Sequence, residues 1–303
     1  MKLHDLHVLV TVVQAGSMSK AAALLNTGQS SISRSISELE QSVGVRLLDR
    51  NPMGVAPTAY GQTLLDGGAA VFDELRQAVK KIEFLADPAA GDVRIGCSPL
   101  LAPSFVCAVV DRVSRRYPRI EFHLLAAPVE TIHRELGERN VDLLIVRRVG
   151  PIVDERLNFE LLFDDSLVVV ASAQHPCAQR RKITLAELAR ELWVLPPPEY
   201  ALGSDIRKAF HANGLEYPRA TVGTVSPEVR MSLVATGRFL TIFPASAMRF
   251  PVKRPELKVL PVELPMAGVP NGIATLKDRT VSPVAQLFIE HAREVAKPLA
   301  RRK

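Results

Sequence analysis

The chain has 303 residues, of which 47% are hydrophobic, and a formal net charge of +6. This length allows two or three compact units, and the composition is ordinary for a folded globular protein. No apolar run reaches the roughly 18 residues of a membrane span, and no signal peptide is recognisable. We therefore expect a cytoplasmic protein without a membrane partner.

The positive charge and the cysteines exclude few further classes of protein. Residues 1–90 carry 8 Lys/Arg and 9 Asp/Glu, a net of −1, so the excess of +7 lies in residues 91–303. Cys97, Cys107 and Cys177 form no CxxC pair and no Cys/His cluster. We expect no metal and no cofactor, and interpret the cysteines as small buried side chains. A redox-sensing pair is the alternative.

The stretch 17–40 predicts two short helices separated by a polar turn at 26–28. It follows a first amphipathic helix with Leu3, Leu6, Val10 and Val13 on its buried face. Small residues such as Ala21 and Ala22 allow the close helix contact of a helix-turn-helix.

The third helix is predicted from Gln29 to Val43. Its buried stripe is Ile32, Ile36, Leu39 and Val43. The opposite face carries short hydroxyls and Arg34, which suit the major groove of DNA because arginine pairs with phosphate or with guanine. Periodicity alone equally favours an ordinary solvated helix face.

The order of residues over positions 3–65 decides between these interpretations. It closely resembles the N-terminal winged helix-turn-helix of LysR-type transcriptional regulators, without a gap. The positions that carry the resemblance are Leu6, Leu9, Val12, Gly16, Ser17, Ala21, Ala22, Leu25, Gln29, Ser33, Arg34, Ile36, Leu39, Glu40, Gly44, Leu47, Arg50, Thr58, Gly61 and Leu64. Leu9, Ser30 and Leu48 depart from the family pattern, and Ser30 adds a hydroxyl at a position that faces the groove.

The resemblance implies a helix-turn-helix at about 18–37 within a DNA-binding domain of residues 1–60, with a wing at 47–58. The DNA-binding residues that we predict are Ser17, Gln29, Ser30, Ser31, Ser33, Arg34, Ser37, Arg50 and Thr58. The implied partner is double-stranded operator DNA, with RNA polymerase as a further partner.

A long helix is predicted from Thr58, a plausible N-cap, to a point before Pro88. Apolar and small residues recur every seven positions along it, as Leu65, Phe72 and Val79 and as Gly68, Leu75 and Ile82. Such a face has to pack on something, either its own domain or another helix. The resemblance implies a linker helix at 58–87 that pairs with a second subunit, giving a homodimer and a homotetramer.

After a linker at 87–91, strands alternate with helices, which predicts a parallel α/β sheet. A second set of strands and helices follows, and the last strand and helix return to the first sheet. The predicted fold class is therefore α/β overall: an all-α winged helix-turn-helix, a linker helix, and a two-lobed α/β domain at 91–303. Lobe I is expected at 91–162 and 268–303, and lobe II at 163–267. The arrangement resembles the family's effector domain, which is similar to periplasmic binding proteins.

Open α/β sheets bind ligands at the carboxyl ends of their strands. Ser98, Arg147 and Ser226 there suit a small anion such as a carboxylate, because arginine and helix N-termini attract negative charge. The effector-binding residues that we predict, partly by resemblance, are Ser98, Pro99, Pro128, Val129, Arg147, Pro198, Tyr200, Thr224 and Ser226.

The function expected is a DNA-binding transcriptional regulator controlled by a small effector between two lobes. The alternatives are an enzyme that uses the cleft and a DNA-binding protein without a ligand. No GxSxG, HExxH, GxGxxG or P-loop motif occurs, and no histidine adjoins a candidate nucleophile, so no catalytic residue is predicted.

Overall fold

The computed structural model describes residues 1–51, 54–148, 154–249, 256–264 and 268–300. The chain divides into two compact units, Met1–Val79 and Lys80–Lys303. No helix in the described part of the chain is long and apolar enough to cross a membrane.

The first unit is a helix-turn-helix with a two-stranded wing. The third helix has the predicted limits, and the predicted second helix and wing are present within one or two residues. The elements are α1 (Leu3–Ala15), α2 (Met18–Leu24), α3 (Gln29–Val43), β1 (Leu48–Asn51), β2 (Gly54–Pro57) and α4 (Ala59–Ala86), which continues beyond this unit. Strands β1 and β2 pair antiparallel.

One small core holds these elements together. Leu9, Val12, Ile36 and Leu39 are completely buried, because α1 and α3 each turn one apolar stripe toward the other. Gly16 and Gly44 end α1 and α3 in the left-handed conformation that glycine adopts without steric cost.

Helix α4 begins and ends where the sequence predicts, but its apolar face divides into two. Leu65 and Phe72 pack on the core of the first unit, and Gly68 lies against Leu6. A second set of apolar side chains on α4 is exposed: Val71, Leu75, Val79, Ile82 and Leu85. At 100° per residue these five lie within an arc of about 120°. The residues that recur every seven positions therefore belong to two different faces of α4, one packed on the core of the first unit and one exposed.

The second unit contains sixteen helices and strands across its described residues, not counting short helical turns or α4. They are β3 (Ala90–Cys97), α5 (Cys107–Arg116), β4 (Arg119–Ala126), α6 (Val129–Gly137), β5 (Leu143–Arg147), β6 (Leu157–Asp165), β7 (Leu167–Ser172), α7 (Leu185–Leu188), β8 (Trp193–Leu195), α8 (Ala201–His211), β9 (Ala220–Gly223), α9 (Pro227–Ala235), β10 (Thr241–Pro244), β11 (Leu257–Val259), β12 (Val269–Leu276) and α10 (Pro283–Ala300), with π-helical and 3-10 turns at Ala102–Val106 and Pro176–Gln179.

The larger sheet has the strand order β4-β3-β5-β12-β6. Strands β3, β4 and β5 are parallel, as predicted, and β12 returns antiparallel between β5 and β6. Strand β6 was not predicted from the sequence. Its antiparallel pairing with β12 from Leu157 to Asp165 extends this sheet beyond the expected crossing near residue 162.

A second sheet is built around β7. Strands β10 and β11 flank β7 on its two sides, both antiparallel, and β8 pairs with β9 in parallel. Trp193 bridges to Leu240, which connects the two groups of strands. Val169, Trp193, Ile206 and Phe210 lie at the centre of this lobe's core. The chain passes between the sheets after β6 and again before β12, so two α/β lobes share two crossing segments.

Candidate DNA interface and effector site

The polar face of α3 is exposed opposite its buried stripe. Gln29, Ser30, Ser31, Arg34 and Ser37 are exposed, and Ser33 is half-buried. The Gln29 side-chain oxygen accepts a hydrogen bond from the Ser19 hydroxyl at 3.0 Å, which joins the start of α3 to α2. The structure thus brings the predicted recognition residues onto one accessible surface.

Arg34 is the one charged side chain among the six predicted contacts on α3. Its side chain is 82% exposed, and its Nε donates to Glu38 Oε1 at 2.8 Å. This hydrogen bond holds the pKa of Glu38 below its ordinary value. One turn further along the same face, Glu38 therefore competes with any phosphate or base for Arg34.

Ser17 and Thr58 have structural contacts at helix starts. The Ser17 hydroxyl caps α2 by accepting the N–H of Lys20 at 3.1 Å. The Thr58 hydroxyl donates to the Arg46 carbonyl at 2.8 Å and accepts the N–H of Gly61 at 3.0 Å. Arg50 lies in β1, and the prediction for its side chain falls outside the described residues.

The C-terminal ends of β3 and β5 meet in lobe I. The Ser98 N–H donates to the Ile145 carbonyl at 3.2 Å, which places Ser98 and Arg147 at neighbouring strand ends. The Ser98 hydroxyl oxygen is buried and has no hydrogen-bond partner within the described ranges. Ser98 precedes the π-helical turn Ala102–Val106, which leads into α5, and its hydroxyl does not cap that turn.

Arg147 faces lobe II. Its Nη2 lies 3.1 Å from Asp205 Oδ2 on α8, and the two side chains are only 10% and 8% exposed. Burial lowers the pKa of Arg147, and the charges of Asp205 and Asp165 oppose that shift. The contact is an ion pair without hydrogen-bond geometry. Arg147 Nε, Arg147 Nη2 and Asp205 Oδ2 all lack a hydrogen-bond partner in the described part of the chain.

Asp205 was not predicted from the sequence. It occupies a buried position of an amphipathic helix, between Leu202, Ile206 and Ala209. A charged residue on an apolar helix face is costly unless it is paired, and that conflict is the signal that could have marked it. Its other carboxylate oxygen lies 3.6 Å from Lys208 Nζ.

The remaining predicted effector residues are distributed around the strand ends. Pro128 and Val129 are exposed where α6 begins, and Tyr200 is exposed at the start of α8. Ser226 caps α9 through the N–H of Val229, and its own N–H donates to Thr224. Pro99 and Pro198 are half-buried. Among the predicted effector residues, Ser98 and Arg147 lie at neighbouring strand ends, and Thr224 and Ser226 form a separate hydrogen-bonded pair.

The crossing between the lobes is fixed by Asp165, the last residue of β6. Its carboxylate accepts the N–H of Ser246 at 3.1 Å and also the Ser246 hydroxyl. Burial raises the pKa of Asp165, and these hydrogen bonds act in the opposite direction. Ser246 follows β10 in lobe II, so this contact ties the two lobes together.

Lobe II also contains a buried arginine. Arg230 donates to the Ile242 carbonyl at 3.0 Å, and its guanidinium lies 4.3 Å from the centre of the Phe243 ring. Burial lowers its pKa to about 10. The carbonyl and the aromatic face provide the electrostatic stabilisation that a carboxylate would otherwise supply.

The cysteines are not arranged for nucleophilic or metal chemistry. Burial raises the pKa of Cys97 to about 12 and also raises the pKa values of Cys107 and Cys177. A reactive cysteine needs the opposite shift. No group of three or more His, Cys, Asp or Glu side chains that could hold a metal occurs across the described ranges.

A winged helix-turn-helix followed by a two-lobed α/β unit defines a class of proteins, the DNA-binding regulators that carry a ligand-binding domain. Models of two families match this chain: the lysR-family bacterial regulatory helix-turn-helix at residues 3–62, and the LysR substrate-binding domain at residues 86–297. The chain belongs to the LysR family of transcriptional regulators.

Similar proteins agree with this assignment along nearly the whole chain. The uncharacterized HTH-type transcriptional regulator YdcI of Escherichia coli K12 is 28% identical over 97% of this chain and 95% of its own length. A full-length OxyR variant from Pseudomonas aeruginosa has a TM-score of 0.69 at 20% identity, covering 100% and 99% of the two chains. CbnR in complex with its target DNA has a TM-score of 0.57 at 19% identity, covering 98% and 100%.

The family and its members are transcriptional regulators, not enzymes. The expected fold class and the expected general function are thereby confirmed, and the enzyme alternative is excluded. This protein is a DNA-binding transcriptional regulator with a LysR substrate-binding domain.

Proposed function

We propose that this regulator binds operator DNA as a homo-oligomer and changes its DNA contacts when a small anionic effector enters the cleft between its two lobes. The observation that supports the effector site is Arg147. Two nitrogen atoms of its buried guanidinium have no hydrogen-bond partner among the residues that the structure describes, so they have unused capacity for an anion. Ser98, at the neighbouring strand end, adds a buried hydroxyl.

We assign the DNA contacts to the exposed face of α3 (Gln29, Ser30, Ser31, Ser33, Arg34 and Ser37) and to Arg50 of the wing. Ser17 and Thr58 act at the helix starts, where backbone N–H groups attract phosphate. Residues 1–60 carry 5 Lys/Arg and 4 Asp/Glu, so non-specific charge attraction contributes little. Affinity then depends on a few placed contacts and on several copies bound to one operator.

The effector contacts are assigned to Ser98 and Arg147 at the centre. Pro99, Pro128, Val129, Pro198, Tyr200, Thr224 and Ser226 are proposed to line the remainder. The function proposed for the two crossing segments is that of a hinge, with lobe II moving relative to lobe I when the effector binds. Such a shift requires different effector affinities for the two arrangements.

The exposed apolar stripe of α4 is the proposed dimer contact. Val71, Leu75, Val79, Ile82 and Leu85 supply the narrow apolar seam that a paired helix buries. Two dimers would form a tetramer on a repeated operator, with RNA polymerase as the further partner. Since operator DNA and polymerase are cytoplasmic in bacteria, the proposal places the protein there.

The domain division follows from these assignments: residues 1–60 for DNA binding, 58–87 for pairing, and 91–303 for the effector. Within the last region, β6 continues to Asp165 in the first sheet. We therefore place the first crossing between the lobes after residue 165 rather than at 162, and the return near 268.

Footprinting of the intergenic DNA beside the gene tests the proposal, with compounds taken from a thermal-shift screen of carboxylates, aromatic acids and sugar phosphates. A stabilising compound should change the DNase I footprint or the DNA bend, and Arg147→Ala should lose that response while still binding DNA. A stabilising compound that leaves both footprint and bend unchanged contradicts the proposed mechanism.

A further inference from the structure

Three side chains, two from lobe I and one from lobe II, carry buried polar atoms with unused hydrogen-bonding capacity. They are Ser98 from the end of β3, Arg147 from the end of β5, and Asp205 from α8 in the opposite lobe. Four of their polar atoms have no hydrogen-bond partner within the described ranges: Ser98 Oγ, Arg147 Nε, Arg147 Nη2 and Asp205 Oδ2. Buried polar groups are nearly always hydrogen-bonded in proteins, so this cluster points to a bound molecule that supplies both donors and acceptors.

The unused atoms of Arg147 form one edge of its guanidinium. Nε and Nη2 together are a fork that matches the two oxygens of a carboxylate. Asp205 approaches this edge from the side, with Oδ2 at 3.1 Å from Nη2 but without the angle of a hydrogen bond. Its other oxygen, Oδ1, is turned toward Lys208, whose side chain is largely exposed.

A ligand carboxylate on the Arg147 fork would lie beside the carboxylate of Asp205. Arg147 balances only one of these two negative charges, so the second carboxylate is repelled unless the ligand itself brings a positive or hydrogen-bond-donating group. A simple carboxylic acid brings no such group, whereas an ammonium or hydroxyl on the carbon next to the carboxylate would supply a donor whose hydrogen bond Asp205 Oδ2 can accept.

We infer that the effector is a 2-amino or 2-hydroxy acid, whose carboxylate binds Arg147 and Ser98 while its adjacent donor group binds Asp205. Asp205 is then the residue that selects this class of ligand. This inference rests on the proposed effector site at Arg147 and adds to it the chemical class of the ligand.

Isothermal titration of the full-length protein with matched ligand sets tests the inference. The sets are L-alanine, L-lactate and propionate; L-phenylalanine, L-phenyllactate and phenylpropionate; and L-glutamate, L-hydroxyglutarate and glutarate. Within at least one set, the amino or hydroxy acid should bind at least about ten-fold more tightly than the acid without the donor. Asp205→Asn should reduce the preference for the amino acid about ten-fold. Asp205→Glu should keep that preference, and the exposed neighbour variant Lys208→Gln should leave it unchanged.

The inference is overturned if the acid without the donor binds wild-type protein equally well, if no member of any set binds, or if folded Asp205→Asn keeps the preference. Should Asp205→Asn fail to fold, the wild-type comparison and Asp205→Glu decide.

The variant Arg147→Lys separates this inference from the proposed site. If that variant loses every ligand while simple acids bind wild type well, the Arg147 site stands and the role of Asp205 falls. If Arg147→Lys binds ligands as wild type does, the proposed site itself is wrong.

Discussion

The carboxylate of Glu40 accepts the backbone N–H of Leu47 at 2.8 Å and that of Leu48 at 3.3 Å. Glu40 belongs to α3, and Leu48 is the first residue of the wing strand β1. This side chain therefore links the wing to α3, the two elements to which we assign the DNA contacts.

Replacing Glu40 should loosen this connection. Leu47 and Leu48 are almost completely buried, so Glu40→Ala leaves two enclosed N–H groups without an acceptor. Loss of a hydrogen bond to a charged group costs about 1.5–3 kcal/mol, and we expect a decrease of that size in the free energy of unfolding, measured by urea denaturation. Glu40→Gln keeps an acceptor oxygen and should lose less than Glu40→Ala. Equal stability of Glu40→Ala and wild type would show that the connection is not needed.

Two glycines of α4 should respond oppositely to the same substitution. A Cβ at Gly61 would lie 2.0 Å from the Leu47 carbonyl oxygen, whereas a Cβ at Gly67 would have nothing within 4 Å. Gly61→Ala should destabilise by about 1–3 kcal/mol through overpacking. Gly67→Ala should stabilise by about 0.5–1 kcal/mol, because alanine loses less backbone entropy in a helix. Thermal unfolding of the two variants measures both changes in stability. A Gly61→Ala variant more stable than wild type would contradict the close approach of α4 to the wing.

The Arg34–Glu38 ion pair should tune operator affinity. Arg34→Ala should weaken binding and reduce the slope of log affinity against log salt by about one, provided that Arg34 contacts a phosphate. Glu38→Gln removes the competing carboxylate and should tighten binding. Fluorescence anisotropy at several salt concentrations measures both. Unchanged affinity and slope in Arg34→Ala would remove this residue from the interface.

The exposed stripe on α4 should determine the oligomeric state. Ile82→Lys places a charge in the proposed seam and should shift the protein toward monomers in sedimentation velocity, with weaker operator binding. Glu83→Gln changes the net charge by the same amount one position away, outside the stripe, and should leave the oligomer intact. Dissociation by both variants, or by neither, would mean that the stripe does not hold the subunits together.

The thiol of Cys97 should be protected in the folded protein. Its pKa is raised from 9.0 to about 12, chiefly by burial. The folded state therefore keeps the proton more tightly than the unfolded state, so this stabilisation is complete below about pH 9 and is lost as the pH rises toward 12. Iodoacetamide at pH 8 should label Cys97 far more slowly in native than in urea-unfolded protein, as read by peptide mass spectrometry. Equal rates would show an accessible thiol and revive a redox role.

The sequence predicted the elements of the first unit well because their signals are local. The buried stripe of α3, apart from the exposed Val43, and the N-cap at Thr58 each act over a few positions, and the gapless resemblance added the wing and the family. Arg147 was also found from local information, as a charged residue at the end of a buried apolar strand.

Other features depended on contacts between distant residues. The two faces of α4 look alike in sequence, since heptad spacing does not distinguish apolar residues that pack on Leu6 and its neighbours from those that face solvent. Strand β6 was missed because its antiparallel partner, β12, lies about a hundred residues further along the chain.

The sequence by itself therefore determined most of the helices and strands, because periodicity and capping are properties of short segments, and its resemblance to LysR-type regulators indicated the class of protein. Only the tertiary structure decided which side chain pairs with Arg147. Asp205 is 58 positions away and on another lobe, and the sequence shows only an acid on an apolar helix face, without its partner. It becomes the partner of Arg147 only in the folded protein, where the two lobes bring both charged side chains together in a buried ion pair.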